Sequence, residues 1–361
     1  MKKRLLALLL CLLLLPLGGC TDPLSQSLMV ISMGVDLTDG GYVITIKAPN
    51  YGATGGGEEN QTEENYLTLS VRGQTWAHAM SLLHAATPRV MRFGQLREVV
   101  LSLDTARSGH LHEILTQVDI LQNVRTHARV IICRESAQDF LKSQKSAIGK
   151  RLSTYLDVTL DTLRSKGYIP TATLSSLLRD LGAAWRDPLI AYAAFPKEHK
   201  PAEGTAFGEY AGALAVGSGG RFALLTGYEV QLYHLITGEI TSMALGVDGQ
   251  YFDVLPRGKS TQTLTKENGQ DVLHLHLPVT VEYSAFRDAP TQDIAAHLEG
   301  EIEKLIEKLQ RAACDALGYG GLAARQHKTL FDFSQSGWES RYQSAAVSVT
   351  VDVLLRQQGR T

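Results

Sequence analysis

Eleven histidines and a scatter of acidic residues give this 361-residue chain the raw material for metal or acid–base chemistry, so spacing has to decide. His110 and His112 stand two apart, as do His274 and His276. On a strand, side chains two apart share a face, so His274 and His276 would project together, as two metal ligands would. A zinc site needs a third and usually a fourth ligand, and no Cys or acidic cluster at ligand spacing accompanies either pair. His112-Glu113-Ile114-Leu115-Thr116 opens like the H-E-x-x-H zinc-protease helix, but Thr116 stands where the second His must be. Nucleophiles fare no better, because Gly217-Ser218-Gly219 lacks the flanking pattern of a G-x-S-x-G elbow. Neither Gly52 to Gly57 nor Gly217 to Gly220 has the spacing of a phosphate-binding loop. Asp36 and Asp39 could pass for a carboxylate pair. They flank a turn, however, where Asp is favoured for its own backbone hydrogen bonds. The expectation is no catalytic residue, no metal and no cofactor.

Chemistry of another kind is written into the first twenty residues, MKKRLLALLLCLLLLPLGGC. Lys2, Lys3 and Arg4 precede an apolar run from Leu5 to Leu15, and Leu17-Gly18-Gly19-Cys20 ends it. A basic start, a short apolar run and small residues before a cut site make a secretory signal. A spanning helix needs about 20 apolar residues, and the stretch from Pro16 to Gly19 stops this run short. An ordinary secretory signal that happened to contain Cys20 would meet the same criteria. The order Leu, Gly, Gly, Cys also resembles the bacterial lipobox. That resemblance implies cleavage between Gly19 and Cys20, with S-diacylglycerol and N-acyl (palmitate) groups on Cys20. Two or more chains hold a protein stably on a membrane where one does not.

Composition narrows the classes. Removing 19 residues leaves 342, enough for two or three domains at about 150 residues each. The remaining 32 Lys and Arg face 37 acids, a balance of −5, and no long basic run appears. Neither nucleic-acid binding nor a polybasic membrane patch is indicated. Besides Cys20 only Cys133 and Cys314 remain, too few for a disulfide scaffold. Cys133 follows Val130-Ile131-Ile132 and Cys314 falls among alanines of an expected helix, so both read as core fillers. No second apolar segment approaches spanning length, which leaves the lipid as the anchor.

Periodicity supplies the elements that must carry these residues. Residues 21–27 form a polar tether. Strands over Leu28–Val35 and Tyr42–Ala48 flank the hairpin signal Thr38-Asp39-Gly40-Gly41. Asn50 to Asn65 is glycine-rich, acidic and expected to be a loop. Then come a strand over Tyr66–Val71, a helix over Thr75–Ala86, a strand over Leu96–Leu103, a helix over His110–Leu121 and a strand over His127–Cys133. Ser136 caps a short helix through Leu141, and helices follow over Lys150–Lys166 and Thr171–Leu181. Phe195 to Gly204 carries two prolines and marks a boundary. Thr205–Val216 and Arg221–Ile240 make a strand–turn–helix unit about Gly217 to Gly220, and Gln250 to Lys266 is the least patterned stretch. Leu273, Leu275, Leu277, Val279, Val281 and Tyr283 share one parity of a half-buried strand. A single long helix is expected over Thr291–Leu317, with its apolar stripe from Ile294 and Leu298 to Ala313 and Leu317 and its stop at Gly318. Val347, Val349, Val351 and Val353 alternate in a closing strand. The fold class is therefore α+β or mixed α/β and multi-domain, with mixed and antiparallel sheets, helices packed on them and a long C-terminal helix. Residues 1–19 are the signal, 20–199 an N-terminal domain and 200–361 a C-terminal one. Within the latter, 200–266 reads as a subregion apart from the sheet and long helix of 267–361.

Several stretches together resemble the Ger(x)C family, the lipoprotein C subunits of nutrient germinant receptors in spore-forming bacteria. Cys20 is followed by Met33-Gly34-Val35-Asp36, similar to the family's lipidated start and its Gly-hydrophobic-Asp strand end. Phe93 to Val100, Ala128 to Cys133 and Ser136 to Leu141 match its strand–helix–strand order. Gly204-Thr205-Ala206-Phe207 with Ala211-Gly212, and Asp315-Ala316-Leu317-Gly318-Tyr319-Gly320 with Trp338 downstream, are similar to its later motifs. Thr21 stands where the family often has Trp, and the glycines of 52–57 are unusual for it. The resemblance implies a non-enzymatic receptor subunit on the outer face of the spore's inner membrane. Its implied partners are two membrane-embedded subunits, an A-type and a transporter-like B-type. Two rival classes remain at this point: a lipid-anchored extracytoplasmic solute-binding protein, which should have two like lobes, and an anchored hydrolase, which needs a site the residues do not supply.

Overall fold

The computed structural model describes residues 26–50, 66–144, 152–194, 209–247, 249–283 and 291–357. Cys20 with the 1–19 signal, the tether to residue 25, the acidic loop 51–65, the linker 195–208 with the boundary expected at 199/200, and Gly204 to Phe207 lie outside them.

Among the described residues two large sheets organise the chain. The first half contributes β1 (Ser27–Met29), β2 (Ser32–Thr38), β3 (Gly41–Pro49), β4 (Tyr66–Gly73), α1 (Trp76–Ala85), β5 (Val90–Arg92), β6 (Glu98–Ser102), α2 (Leu103–Arg107) and α3 (Leu111–Asp119). It continues with β7 (Arg129–Cys133), α4 (Ala137–Ser143), α5 (Leu152–Ser165), α6 (Leu174–Leu181) and β8 (Leu189–Ala194), and beyond the linker come β9 (Glu209–Val216) and β10 (Phe222–Thr226). The eight-stranded sheet runs β10-β9-β8-β7-β6-β2-β3-β4. Its inner strands β2, β6, β7 and β8 are parallel, and the pairs toward either edge are antiparallel. A small parallel pair, β1 with β5, lies beside it. Parallel strands are buried on both faces. One face packs Val99, Val130 and Ile190 against α1, α3 and α6, and the other packs Val100, Ile131 and Cys133 against α4 and α5.

Two strands of this sheet depart from the sequence reading. β8 is an unbroken apolar run, LIAYAA, buried throughout, so it has no alternation to announce it. The unit expected as strand–turn–helix over 205–240 contains an extra strand, β10, before α7 (Gly227–Thr237). Thr226 and Glu229 form a reciprocal cap at the start of α7, which fixes where strand gives way to helix. Gly212 sits where β9 slips register against β8, at φ 134°, and a Cβ there would lie 2.0 Å from the Leu225 carbonyl. Only glycine fits there.

The second sheet is built from β11 (Met243–Val247), β12 (Gln250–Pro256), β13 (Thr261–Glu267), β14 (Gln270–Tyr283) and β15 (Ala346–Gln357). Strand β14 pairs antiparallel with β12 and β13 and in parallel with β15, from Val272 beside Ala346 to Tyr283 beside Gln357. Between β14 and β15 lie α8 (Thr291–Arg311), α9 (Tyr319–Ala324), α10 (Leu330–Ser334) and α11 (Trp338–Ser344). The expected parity holds: Leu273, Leu275, Leu277, Val279 and Val281 are buried with Ile294, Leu298, Ile302, Leu305, Ile306 and Leu309 of α8. The helix is shorter than its sequence suggested. It stops at Arg311 because Ala313 adopts φ 51°, the Ala313 amide donates to Gln310 O at 2.8 Å and the Cys314 amide to Leu309 O at 2.9 Å. Those two bonds are a Schellman ending. Cys314 thus lies past the helix, still buried, and Gly318 at φ 80° leads into α9 instead of ending α8.

On the α4 face of the first sheet, three widely separated segments lock together. Asp36 is buried, and its two oxygens accept from the amides of Ala137 at 2.8 Å and Gln138 at 3.0 Å, at the N-terminus of α4. Lys47 is buried too, and its ammonium donates to Leu141 O at 2.8 Å and to Gln144 O, at the other end. A negative charge at a helix start and a positive one at its end both oppose the helix dipole. Between them Gly34 lets the helix lie down, since a Cβ there would meet Ala137 Cβ at 3.1 Å and Leu141 Cδ1 at 2.9 Å. Glu98, wholly buried, accepts from Ser32 Oγ and Gln144 Nε2, both at 2.7 Å, and burial raises its pKa. Asp39, by contrast, is exposed at the β2–β3 turn. Asp36→Ala is expected to cost about 2–3 kcal/mol in urea denaturation, the loss of two charge-assisted bonds, while Asp39→Ala stays within about 0.5 kcal/mol.

Candidate functional site

The site with the densest chemistry forms where the two sheets meet. Past the Schellman turn, the Asp315 carboxylate gathers four donors. Oδ1 accepts from the amides of Gly318 at 2.9 Å and Tyr319 at 3.0 Å, and Oδ2 accepts from the Gly320 amide and from Trp338 Nε1 at 3.2 Å. Asp187, just before β8, completes a reciprocal link: its Oδ2 accepts from the Asp315 amide at 2.7 Å, and its own amide donates to Asp315 O at 3.2 Å. Gly320 is pinned by close approach, because a Cβ would lie 2.6 Å from Trp185 O and 2.8 Å from Trp338 Nε1. The glycine-rich turn 217–220 packs here as well. A Cβ on Gly217 would stand 3.1 Å from Ala313 O, and one on Gly220 would stand 2.5 Å from Arg107 O. Those glycines serve close backbone packing.

Beside this junction opens a cleft of about 680 Å³, walled by residues 180–188 and by Ser218, Asp315, Phe333, Trp338 and Glu339 among others. Burial pushes the Asp315 carboxyl up from 3.8 to about 6 against the pull of its donors, and burial raises Asp187 as well. Four donors on two oxygens hold the Asp315 carboxylate in one orientation. Its arrangement is that of a carboxylate bolting a turn, and α11 through Trp338, to the first sheet.

The other candidates are scattered. His274 half-buries against Thr265 Oγ1 at 2.9 Å and Glu267 at 3.4 Å, while His276 is exposed farther along β14. His110 contacts Glu113 at 3.0 Å on an exposed helix start. No group of three or more His, Cys, Asp or Glu placed to hold a metal occurs among the described residues. Ser218 is exposed and accepts from Arg221 at 2.9 Å. The thiols of Cys133 and Cys314 are free and buried, and burial raises both, Cys314 to about 12. Asp187 and the buried His234 carried no sequence signal, because their partners, Asp315 and Gly167 O, are remote in the chain. No helix among the described residues is long and apolar enough to cross a membrane.

Two outcomes test this junction. Gly320→Ala should cost about 1–3 kcal/mol, the usual range for overpacking, measured by chemical denaturation. A carboxyl whose pKa is higher folded than unfolded favours the folded state at low pH, and that advantage disappears as pH rises through the two values. Asp315 should therefore withdraw of order 3 kcal/mol of stability as pH climbs from about 4 to 6. Asp315→Asn should flatten that part of the stability-versus-pH curve relative to the parent.

Residues 22–194 match the family model described as spore germination protein N-terminal domain, and residues 215–359 match that described as spore germination B3/GerAC-like, C-terminal. The chain is similar to spore germination protein KC of Bacillus subtilis (strain 168), 22% identical over 401 residues, with 99% of this chain and 96% of that protein covered. The crystal structure of the GerBC protein shares the fold, with a TM-score of 0.55 over 90% of this chain and 96% of that one at 14% identity. Matched by the two models over most of its length, the chain belongs to the Ger(x)C family of spore germination proteins.

Proposed function

We propose that this chain is the lipid-anchored C subunit of a spore nutrient germinant receptor, with an assembly role and no catalysis of its own. The observation that carries the reading is the end-to-end likeness to spore germination protein KC, which leaves little of either chain outside the alignment. Cys20, cut from Gly19 and carrying S-diacylglycerol and N-acyl groups, anchors the body on the outer face of the spore's inner membrane. β1 begins at Ser27, so roughly 25 Å of extended chain at most separates the lipid from the folded body. A body held that close to the bilayer suits contact with two membrane-embedded partners, an A-type subunit and a transporter-like B-type. The solute-binding alternative calls for two like lobes, and the eight-stranded and five-stranded sheets differ in size and strand order.

The test is affinity purification of the tagged protein from detergent-solubilised membranes of sporulating cells, beside a Cys20→Ala control. Recovery of two polytopic membrane proteins, reduced or lost with the control, is the expected result. Recovery of the lipoprotein alone, still membrane-bound, would overturn the reading.

A further inference from the structure

The cleft at the junction, about 680 Å³, lies within the roughly 300–1,000 Å³ of sites that take small organic molecules. Its lining leans acidic, with Arg221 also within electrostatic reach of Asp187. Asp180, Asp187, Asp315 and Glu339 reach its walls, and Arg186 is the basic residue among them. Arg186 is engaged by the Tyr233 hydroxyl at 2.9 Å, a buried core residue. Glu339 is paired with Arg221, Asp180 with Arg179 at 3.0 Å, and Asp315 holds its four donors.

Two groups keep unused capacity. Asp187 accepts at Oδ2 alone, which leaves Oδ1 without a hydrogen bond among the described residues. Tyr342 forms part of the wall and is 1% exposed, yet its hydroxyl makes no hydrogen bond among the described residues, although it lies within electrostatic reach of Asp315 and Asp187. A buried hydroxyl without a partner costs stability, so its presence at a cleft calls for an account. Aromatic rings complete the wall: Trp338 is fixed by its bond to Asp315, and Trp185 remains 37% exposed.

An ammonium group matches these features. It brings positive charge for the open Asp187 oxygen, donors for the lone pairs of a phenol oxygen, and attraction to an indole face. An anionic ligand would meet carboxylates instead. The geometry points to this cleft as a binding site for a small molecule bearing a protonated amine, seated on Asp187 and walled by Trp185 and Trp338. The site neither requires nor follows from the receptor reading, and either can fail alone.

The experiment is a titration of the full-length lipidated protein in detergent, followed by the ¹⁵N-indole resonances of its three tryptophans. The probes are butylamine, 1-butanol and butyrate. Butylamine should shift the Trp185 and Trp338 signals saturably and leave Trp76, which packs on Tyr42 in the first sheet, in place. Butanol and butyrate should not. Asp187→Asn should weaken butylamine binding about tenfold or more, the loss of one charge-assisted bond. Tyr342→Phe should weaken it severalfold while leaving the melting temperature unchanged or raised, and it serves alone if Asp187→Asn does not fold. Equal shifts from butanol or butyrate, no saturable shift with butylamine, or undiminished binding in Tyr342→Phe would overturn the proposal.

Discussion

A carboxylate taken out of water needs donors around it, and in this protein backbone amides supply most of them. Asp36 is satisfied by the first turn of α4, and Asp315 by three successive amides leading into α9 plus the indole of Trp338. An uncompensated buried charge is among the most destabilising features a fold can carry, so each of these aspartates forces its donors into place. Asp36 thereby brings together residues 101 apart in the chain. Asp315, through Asp187, brings together residues 128 apart. Each depends on a nearby glycine, Gly34 or Gly320, that removes the Cβ which would keep the elements from closing.

The same interactions decide how the two sheets relate. β9 follows the linker yet pairs onto β8, and β10 pairs onto β9, so the large sheet draws strands from both sides of the linker. The stretch matched by the C-terminal family model begins at residue 215, inside β9. Leu189, Ala213 and Ala215 accordingly belong to the core that α8 covers, not to the one beneath α1 and α3. The Asp187–Asp315 link then fastens the start of β8 to the far end of α8.

Legibility from sequence followed from how many faces an element buries. β14 and α8 each bury one face more completely than the other, so the parity of Leu273 to Val281 and the stripe of Ile294 to Leu309 were readable. β8 buries both faces and reads only as an apolar run. β12 shows a brief alternation at Phe252 and Val254, too short to stand out between turns. The end of α8 was misplaced because a left-handed alanine at 313 has no compositional signal, whereas the glycine at 318 has one. The local half of the junction, Asp315 to Gly320, was visible as a spaced motif, but its contacts with Asp187, Trp185 and Trp338 exist only in three dimensions. Asp36 looked like a turn residue because its partners lie far downstream.

The parallel pairing of β14 with β15 bears on the order in which the molecule forms. Twelve residues of each strand meet only after α8 and three short helices have been threaded between them. Contacts between such distant segments require a large loss of chain entropy before they yield any gain, which makes them late and slow. Until then one whole edge of β14 stands open, with its apolar parity unshielded, and an open edge of that kind recruits strands from other molecules. Early docking of α8 against β14 would cover that apolar face while the edge waits. β14 is therefore one place where this fold carries a kinetic hazard, and the helix that stabilises the finished sheet also guards the unfinished one.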